Sequence, residues 1–238
     1  MRFSSTSISL WAVAVWVCGT QPGFAYEEAE VSGGGTIAGK VVYAGRVPTR
    51  TVLPTKDTDV CGGVREEAEV KVGADGGVGD AIVYLAEVEQ GKAWPATETP
   101  VLDNKDCVFT PSVQAIPAGP LNVQNSDPVL HNTHGFYGRR TAFNLALPNQ
   151  GQVIEVDLPR AGQVRLECDS HGWMLGFVYV VDNPYYAVTG EDGTFEIADV
   201  PPGTYTLVAN QAYTGPVEVE VTVESGATVE VPVELEQP

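Results

Sequence analysis

The sequence predicts an all-β protein, and three observations carry the prediction. Short segments rich in Val, Ile, Tyr and Thr recur along the whole chain, each bounded by Gly, Pro, Asn or Asp. Helical periodicity is nearly absent. Near the C-terminus, apolar and polar residues alternate strictly. Val217, Val219, Val221 and Val223 interleave with Glu218, Glu220, Thr222 and Glu224; after "SGAT", Val229, Val231, Val233 and Leu235 interleave with Glu230, Pro232, Glu234 and Glu236. That alternation predicts a hairpin with one buried and one solvated face. Pro232, which cannot donate to a ladder, fits an edge strand.

Taken in order, the chain opens with "MRFSSTSISLWAVAVWVCGTQPGFA". Arg2, an apolar run of about ten residues and a small-x-small end at Gly23 and Ala25 have the shape of a secretory signal, cleaved after Ala25. The run is too short for a membrane span, and Val17 precedes Cys18 where a lipoprotein signal needs a small residue. The mature chain is therefore expected to be secreted or periplasmic, with no membrane span. "EEAEVSGGG" reads as a flexible lead-in. The strands expected after it are "TIAGKVVYAG", "GDAIVYLAEV", "LNVQN", "QVRLEC", "GFVYVV", "GTFEIADV" and "GTYTLVAN", with "EDG" marking a hairpin and "PPG" a tight turn.

The whole chain carries a formal net charge of −18, and loss of Arg2 with the leader makes it one unit more negative. Such a surface repels nucleic acid and anionic lipid and suits a basic protein partner or a salty medium; acidity for solubility alone is the other reading. Three cysteines follow the leader: Cys61, Cys107 and Cys168. Two would pair readily in an oxidising compartment, leaving the third for another task.

That third cysteine lies in "LECDSHGWMLG", with His171 and Met174 beside it. Val164, Leu166 and Cys168 share one strand parity, so Cys168 ends a strand on its inward face. A thiolate at a strand end and two donors on the following loop can converge on one ion. The remaining histidines, His131 and His134, lie in "LNVQNSDPVLHNTHGF", and Met174 is the only methionine besides Met1. Three residues apart on an extended chain, His131 and His134 point to opposite faces, so one of them is expected to join the cluster. Two histidines, a thiolate and a long axial methionine form the ligand set of a blue-copper electron-transfer site. Zinc also binds Cys and His, but methionine is a poor zinc ligand.

These residues resemble the cupredoxin family, in the plastocyanin and amicyanin-like manner. "CVFTPSVQAIPAGPLNVQNSDPVLHN" is similar to the family's first half, and "GQVRLECDSHGWMLGFVYV" to its last. The resemblance covers residues 99–182. It implies one mononuclear type 1 copper held by His131, Cys168 and His171, with Met174 axial. It places His131 at the family's His-Asn position, leaving His134 as the alternative ligand. Asn132 would direct its backbone N–H at the Cys168 sulfur while its side chain ties the two loops. His171 would lie nearest the surface and pass the electron. Cys61 and Cys107 are expected to form a structural disulfide, with free thiols or a second copper site as the other readings.

The two ends carry a second resemblance. "GTIAGKVVYAGRVP" with "GVGDAIVYLAEV", and "VTGEDGTFEIADVPPGTYTLVANQ" with the Val/Glu tail, are similar to the carboxypeptidase regulatory-like (transthyretin-like) sandwich. The expected organisation is a leader at 1–25, the first part of that sandwich at 33–92, a cupredoxin Greek-key sandwich at 99–182, and the second part at 183–236. One sandwich is inserted in, or flanked by, the other. The functional expectation is a non-enzymatic carrier of single electrons whose partner is a redox protein, basic in character, such as a cytochrome or oxidoreductase. Copper handling as a periplasmic chaperone without electron transfer is the alternative.

Overall fold

The structure, a computed structural model, describes residues 26–237; the leader expected at residues 1–25 lies outside them. The described chain is built of strands, and its one helix is the single turn Thr58–Cys61. Most strands fall into two sandwiches.

The first sandwich is made by the two ends of the described chain. Gly35–Tyr43 runs between Thr194–Val200, antiparallel to it, and Thr228–Leu235, parallel to it. Facing this sheet are Tyr186–Val188, Ile82–Ala86, Gly203–Gln211 and Gly215–Val223, in that spatial order. Alternation builds the core between them. Ile37, Val41, Leu85, Ile197, Leu207 and Val221 are all buried, each worth about 1.5–3 kcal/mol relative to exposure. Gly39 lets its two neighbouring strands pack closely: a Cβ there would stand 2.1 Å from the Val231 carbonyl oxygen and 2.7 Å from the Phe195 ring.

The second sandwich is made by the middle of the chain. One sheet orders Val108–Thr110, Val101–Lys105, Gly119–Asn125 and Val153–Leu158. The other orders Val113–Pro117, Leu175–Val181, Gly162–Glu167, His131–Tyr137 and Arg140–Leu147. Its core holds Leu102, Phe109, Leu121, Val123, Leu158, Val164 and Leu166. At the junction, Ile82 of the first sandwich packs with Tyr179 and Val181 of the second. Asn183 donates from Nδ2 to the Leu85 carbonyl (2.8 Å) where the chain returns to the first sandwich.

Between Tyr43 and Ile82 the chain makes an excursion. Thr49–Val52 pairs with Arg65–Ala68, and between them stands the helical turn Thr58–Cys61. This excursion leans on the second sandwich: Val52 and Cys61 are buried in its core, and Cys61 is disulfide-bonded to Cys107.

Several expectations are corrected. The Val/Glu tail is not a hairpin. Gly215–Val223 pairs with Gly203–Gln211 in one sheet, and Thr228–Leu235 pairs with Gly35–Tyr43 in the other, so "SGAT" crosses the sandwich. Alternation specifies which face a strand buries, not which strand it pairs with, and both segments bury valines in the same interior from opposite sides. "EDG", expected to mark a hairpin, likewise joins strands of different sheets, while "PPG" makes the short turn expected of it between Val200 and Gly203. Pro232 does lie on an edge strand. In the expected flexible lead-in, Glu27–Glu28 pairs in parallel with Gln90–Gly91.

Candidate metal centre

His131 opens the strand His131–Tyr137, whose inward positions are His131, Thr133 and Gly135 and whose more exposed ones include Asn132 and His134. Cys168 follows the strand Gly162–Glu167 and continues the inward parity of Val164 and Leu166. From there the backbone makes two successive three-residue turns. The His171 amide donates to the Cys168 carbonyl (3.2 Å) and the Met174 amide to the His171 carbonyl (2.9 Å). Three residues per turn eclipses side chains at i and i+3, which is why this spacing brings Cys168, His171 and Met174 to one side.

His131 and His171 are fully buried, and Cys168 and Met174 are buried beside them. The Cys168 sulfur is 3.6 Å from His171 Nδ1 and 4.0 Å from His131 Nδ1, and the two Nδ1 atoms are 3.0 Å apart. The Asn132 amide donates to the Cys168 sulfur (3.4 Å), and the Asn132 side chain accepts from the Asp169 amide (3.3 Å), which ties the two loops. His134 faces away, with Nδ1 3.2 Å from Asp169 and Nε2 2.9 Å from Thr141. Trp173 packs its ring 5.0 Å from that of His171 and donates from Nε1 to the Cys107 carbonyl (3.3 Å).

Two residues of the site carry no mark in the sequence reading. Asp127 Oδ2 lies 2.8 Å from His131 Nε2, and Asp57 Oδ2 lies 3.0 Å from His171 Nε2. Asp127 stands four residues before His131 in a turn, a spacing that was open to reading. Asp57 comes from the excursion, 114 residues from His171, and no local pattern could have joined them. The excursion also overturns the expected exposure of His171. Asp57 covers its outer nitrogen and the imidazole has no solvent-accessible surface.

A carboxylate oxygen only accepts, so each Nε2 is the donor, and in the Nε2–H tautomer the Nδ1 lone pair faces inward. Burial holds His131 below the ordinary imidazole range, against the raising influence of Asp127. Two lone pairs 3.0 Å apart beside a sulfur repel one another unless a cation lies among them. With bonds of about 2.0 Å to nitrogen and about 2.3 Å to sulfur, three donors on one ion stand roughly 3–4 Å apart. The donor set fits a borderline or soft metal ion. Beside it, a cleft of about 830 Å³ opens between the sandwiches, with Met174 and Trp173 on its wall.

Residues 177–236 match the family model of the carboxypeptidase regulatory-like domain. The match begins inside the last strand of the second sandwich and runs through the returning half of the first. No curated protein matches the chain. Similar solved structures include a purple cupredoxin from Nitrosopumilus maritimus, at 24% identity over 34% of this chain and 99% of that one, with a TM-score of 0.31. Amicyanin from Paracoccus versutus is 19% identical over 37% of this chain and 85% of its own, with a TM-score of 0.33. A copper-containing nitrite reductase from Thermus scotoductus is 18% identical over 40% of this chain and 26% of its own, with a TM-score of 0.32.

Proposed function

We propose that this protein is an exported carrier of single electrons, holding one copper ion on His131, Cys168 and His171 with Met174 as the weaker fourth donor. The observation that carries the reading is the convergence of three buried donors within 4.0 Å of one another, both imidazoles turned so that Nδ1 faces inward. Copper bound there would supply a one-electron couple between its divalent and monovalent states. The residues do the rest. The strand-end Cys168 and strand-start His131 are anchored at the same end of two antiparallel paired strands, so the donors move little when the charge between them changes. The Asn132 amide supports negative charge on the Cys168 sulfur. The apolar core beneath and the Trp173 ring above exclude water. Four donors leave no open position for a substrate, which favours a carrier over an enzyme.

The disulfide between Cys61 and Cys107 supports an oxidising compartment. Among the described residues no helix is long and apolar enough to cross a membrane. The acidic chain, at a formal −18, favours a basic redox partner, such as a cytochrome or oxidoreductase.

The test is a visible absorption and paramagnetic resonance spectrum of the Cu(II) protein. Intense colour from thiolate-to-copper charge transfer is expected, and Cys168→Ser should abolish it while the fold survives. A colourless wild type that holds copper without its thiolate would overturn the reading.

The burial of His171 beneath Asp57 favours a second reading, copper handling without electron transfer. A centre sealed from solvent suits retention. Fast electron self-exchange in the copper-loaded protein supports the carrier; slow self-exchange with ready transfer of Cu(I) to a chelating partner supports handling.

A further inference from the structure

We infer that Asp57 and Asp127 are a matched pair of positioning residues, one behind each imidazole, that aim both Nδ1 atoms at a bound ion and favour its divalent over its monovalent state. The inference rests on the metal reading of the cluster and goes beyond it.

The symmetry of the arrangement is the starting point. His131 Nε2 donates to Asp127 at 2.8 Å and His171 Nε2 donates to Asp57 at 3.0 Å. Both rings have no exposed surface, while the carboxylates are 6% and 27% exposed. Each aspartate selects one tautomer and one ring orientation, and each makes its imidazole a more basic ligand. With the Cys168 thiolate, the surroundings of the ion then carry three negative charges. A charge that is poorly screened attracts a doubly charged ion more than a singly charged one, so the pair stabilises the oxidised state selectively.

The supports of the two carboxylates show how they are held. Asp127 accepts from the Asp106 amide (2.8 Å) and the Cys107 amide (2.9 Å). Those amides belong to a two-residue turn between Lys105 and Val108 in which both residues have positive φ, 54° and 56°. That conformation is uphill for residues other than glycine, and the two bonds to Asp127 hold it. Asp57 also has positive φ, 50°. Its carbonyl accepts from the Val60 and Cys61 amides at 2.9 and 2.8 Å, which locks it at the start of the helical turn. The disulfide joins Cys61 of the one support to Cys107 of the other. One covalent bond therefore links the two carboxylate supports, and the second sandwich by itself lacks Asp57.

The test uses the full chain with Asp57→Asn, Asp127→Asn and Asp57→Ala. Asparagine keeps an acceptor oxygen near the imidazole but removes the charge; alanine removes both. Each is titrated with Co(II) as a spectroscopic probe, and the Cu(II)/Cu(I) potential is measured. Each asparagine variant is expected to bind Co(II) about 10–100-fold more weakly than wild type. Its potential is expected to rise, by about 59 mV for each tenfold loss of Cu(II) relative to Cu(I) affinity. Asp57→Ala should show the larger loss.

The failures are distinguishable. A wild type that takes up neither copper nor Co(II) overturns the metal reading and this inference with it. A wild type that binds both, with asparagine variants of unchanged affinity and potential, overturns this inference alone. So does a lowered melting temperature of the metal-free variants at unchanged potential, the mark of a merely structural role. Should Asp127→Asn fail to fold, Asp57→Asn, on the more exposed carboxylate, decides the matter by itself.

Discussion

The two sandwiches bury polar side chains in different ways. In the one made by the chain's ends, such groups serve the backbone. Thr189 Oγ1 donates to the Val78 carbonyl (2.6 Å) and accepts from the Ala81 amide (2.9 Å), and Gln211 Nε2 donates to the Glu69 carbonyl (3.2 Å). At one end of the middle sandwich, buried polar side chains bond the backbone and also meet one another: Asn104 with Thr133, Asp127 with His131, and His131 with His171. The side-chain network converges on two imidazole lone pairs and a sulfur that no protein donor fully satisfies, the condition of a ligand site. That network lies in the middle sandwich, and the excursion that leaves the first sandwich brings Asp57 to it.

The hardest blow to that division is deletion. Removing Gly33 to Glu89 takes away Gly35–Tyr43 and Ile82–Ala86, interior strands of the two facing sheets. Residues 183–237 should then lose their cooperative unfolding transition by circular dichroism. Removing Pro95 to Asp182 with a short Gly/Ser linker, and Cys61→Ser to silence the orphaned thiol, should leave a folded β-domain without a metal site. A tail that folds alone would break the comparison, because the first sandwich would then not need both ends of the chain.

A matched pair of core truncations sharpens it. Leu85 and Leu166 are equally buried, one in each sandwich. Leu85→Ala and Leu166→Ala should each cost about 2–5 kcal/mol in chemical denaturation. Only Leu166→Ala, two residues before Cys168, should alter the Cu(II) absorption band. Next comes the disulfide. Replacing Cys61 and Cys107 together with serine should cost about 2–4 kcal/mol. It should also speed metal release to a chelator, since both carboxylate supports loosen together. Unchanged release would separate the disulfide's stabilising effect from the centre.

The smallest effect is expected from Met174→Leu. Colour should remain and the potential should rise by less than about 59 mV, a less than tenfold change in the ratio of Cu(II) to Cu(I) affinity. Complete loss of copper in that variant would make Met174 a principal ligand and the division of labour among the donors would need redrawing.

Much of this was legible in the residues. The inward parity of Val164, Leu166 and Cys168 is a local property of an extended chain, and it places the sulfur where the structure has it. The opposite facing of His131 and His134 follows from the same period of two. What failed to show was pairing between distant strands. The tail valines are consistent with a hairpin and with strands on opposite sheets, because both arrangements bury the same face. Loop-closing turns such as "EDG" were misread for the same reason: a glycine with positive φ, as at Gly193 (77°), permits a sharp turn whether it leads to a neighbouring strand or across the sandwich.

By itself the sequence determined the strand faces, the apolar cores they build and the donors offered at His131, Cys168, His171 and Met174. These depend on periods of two and three residues, which covalent geometry imposes over a few ångströms. Only the tertiary structure decided that Asp57 seals His171, and it carried Cys61 to Cys107, the expected pair, across a separation of 46 residues. Such encounters depend on how two whole sandwiches pack against each other. That packing is set by the summed burial of many side chains such as Ile82, Tyr179 and Val181 at the junction. No single one of these residues signals it locally, so Asp57 becomes part of the centre only once the excursion is carried onto the neighbouring sandwich.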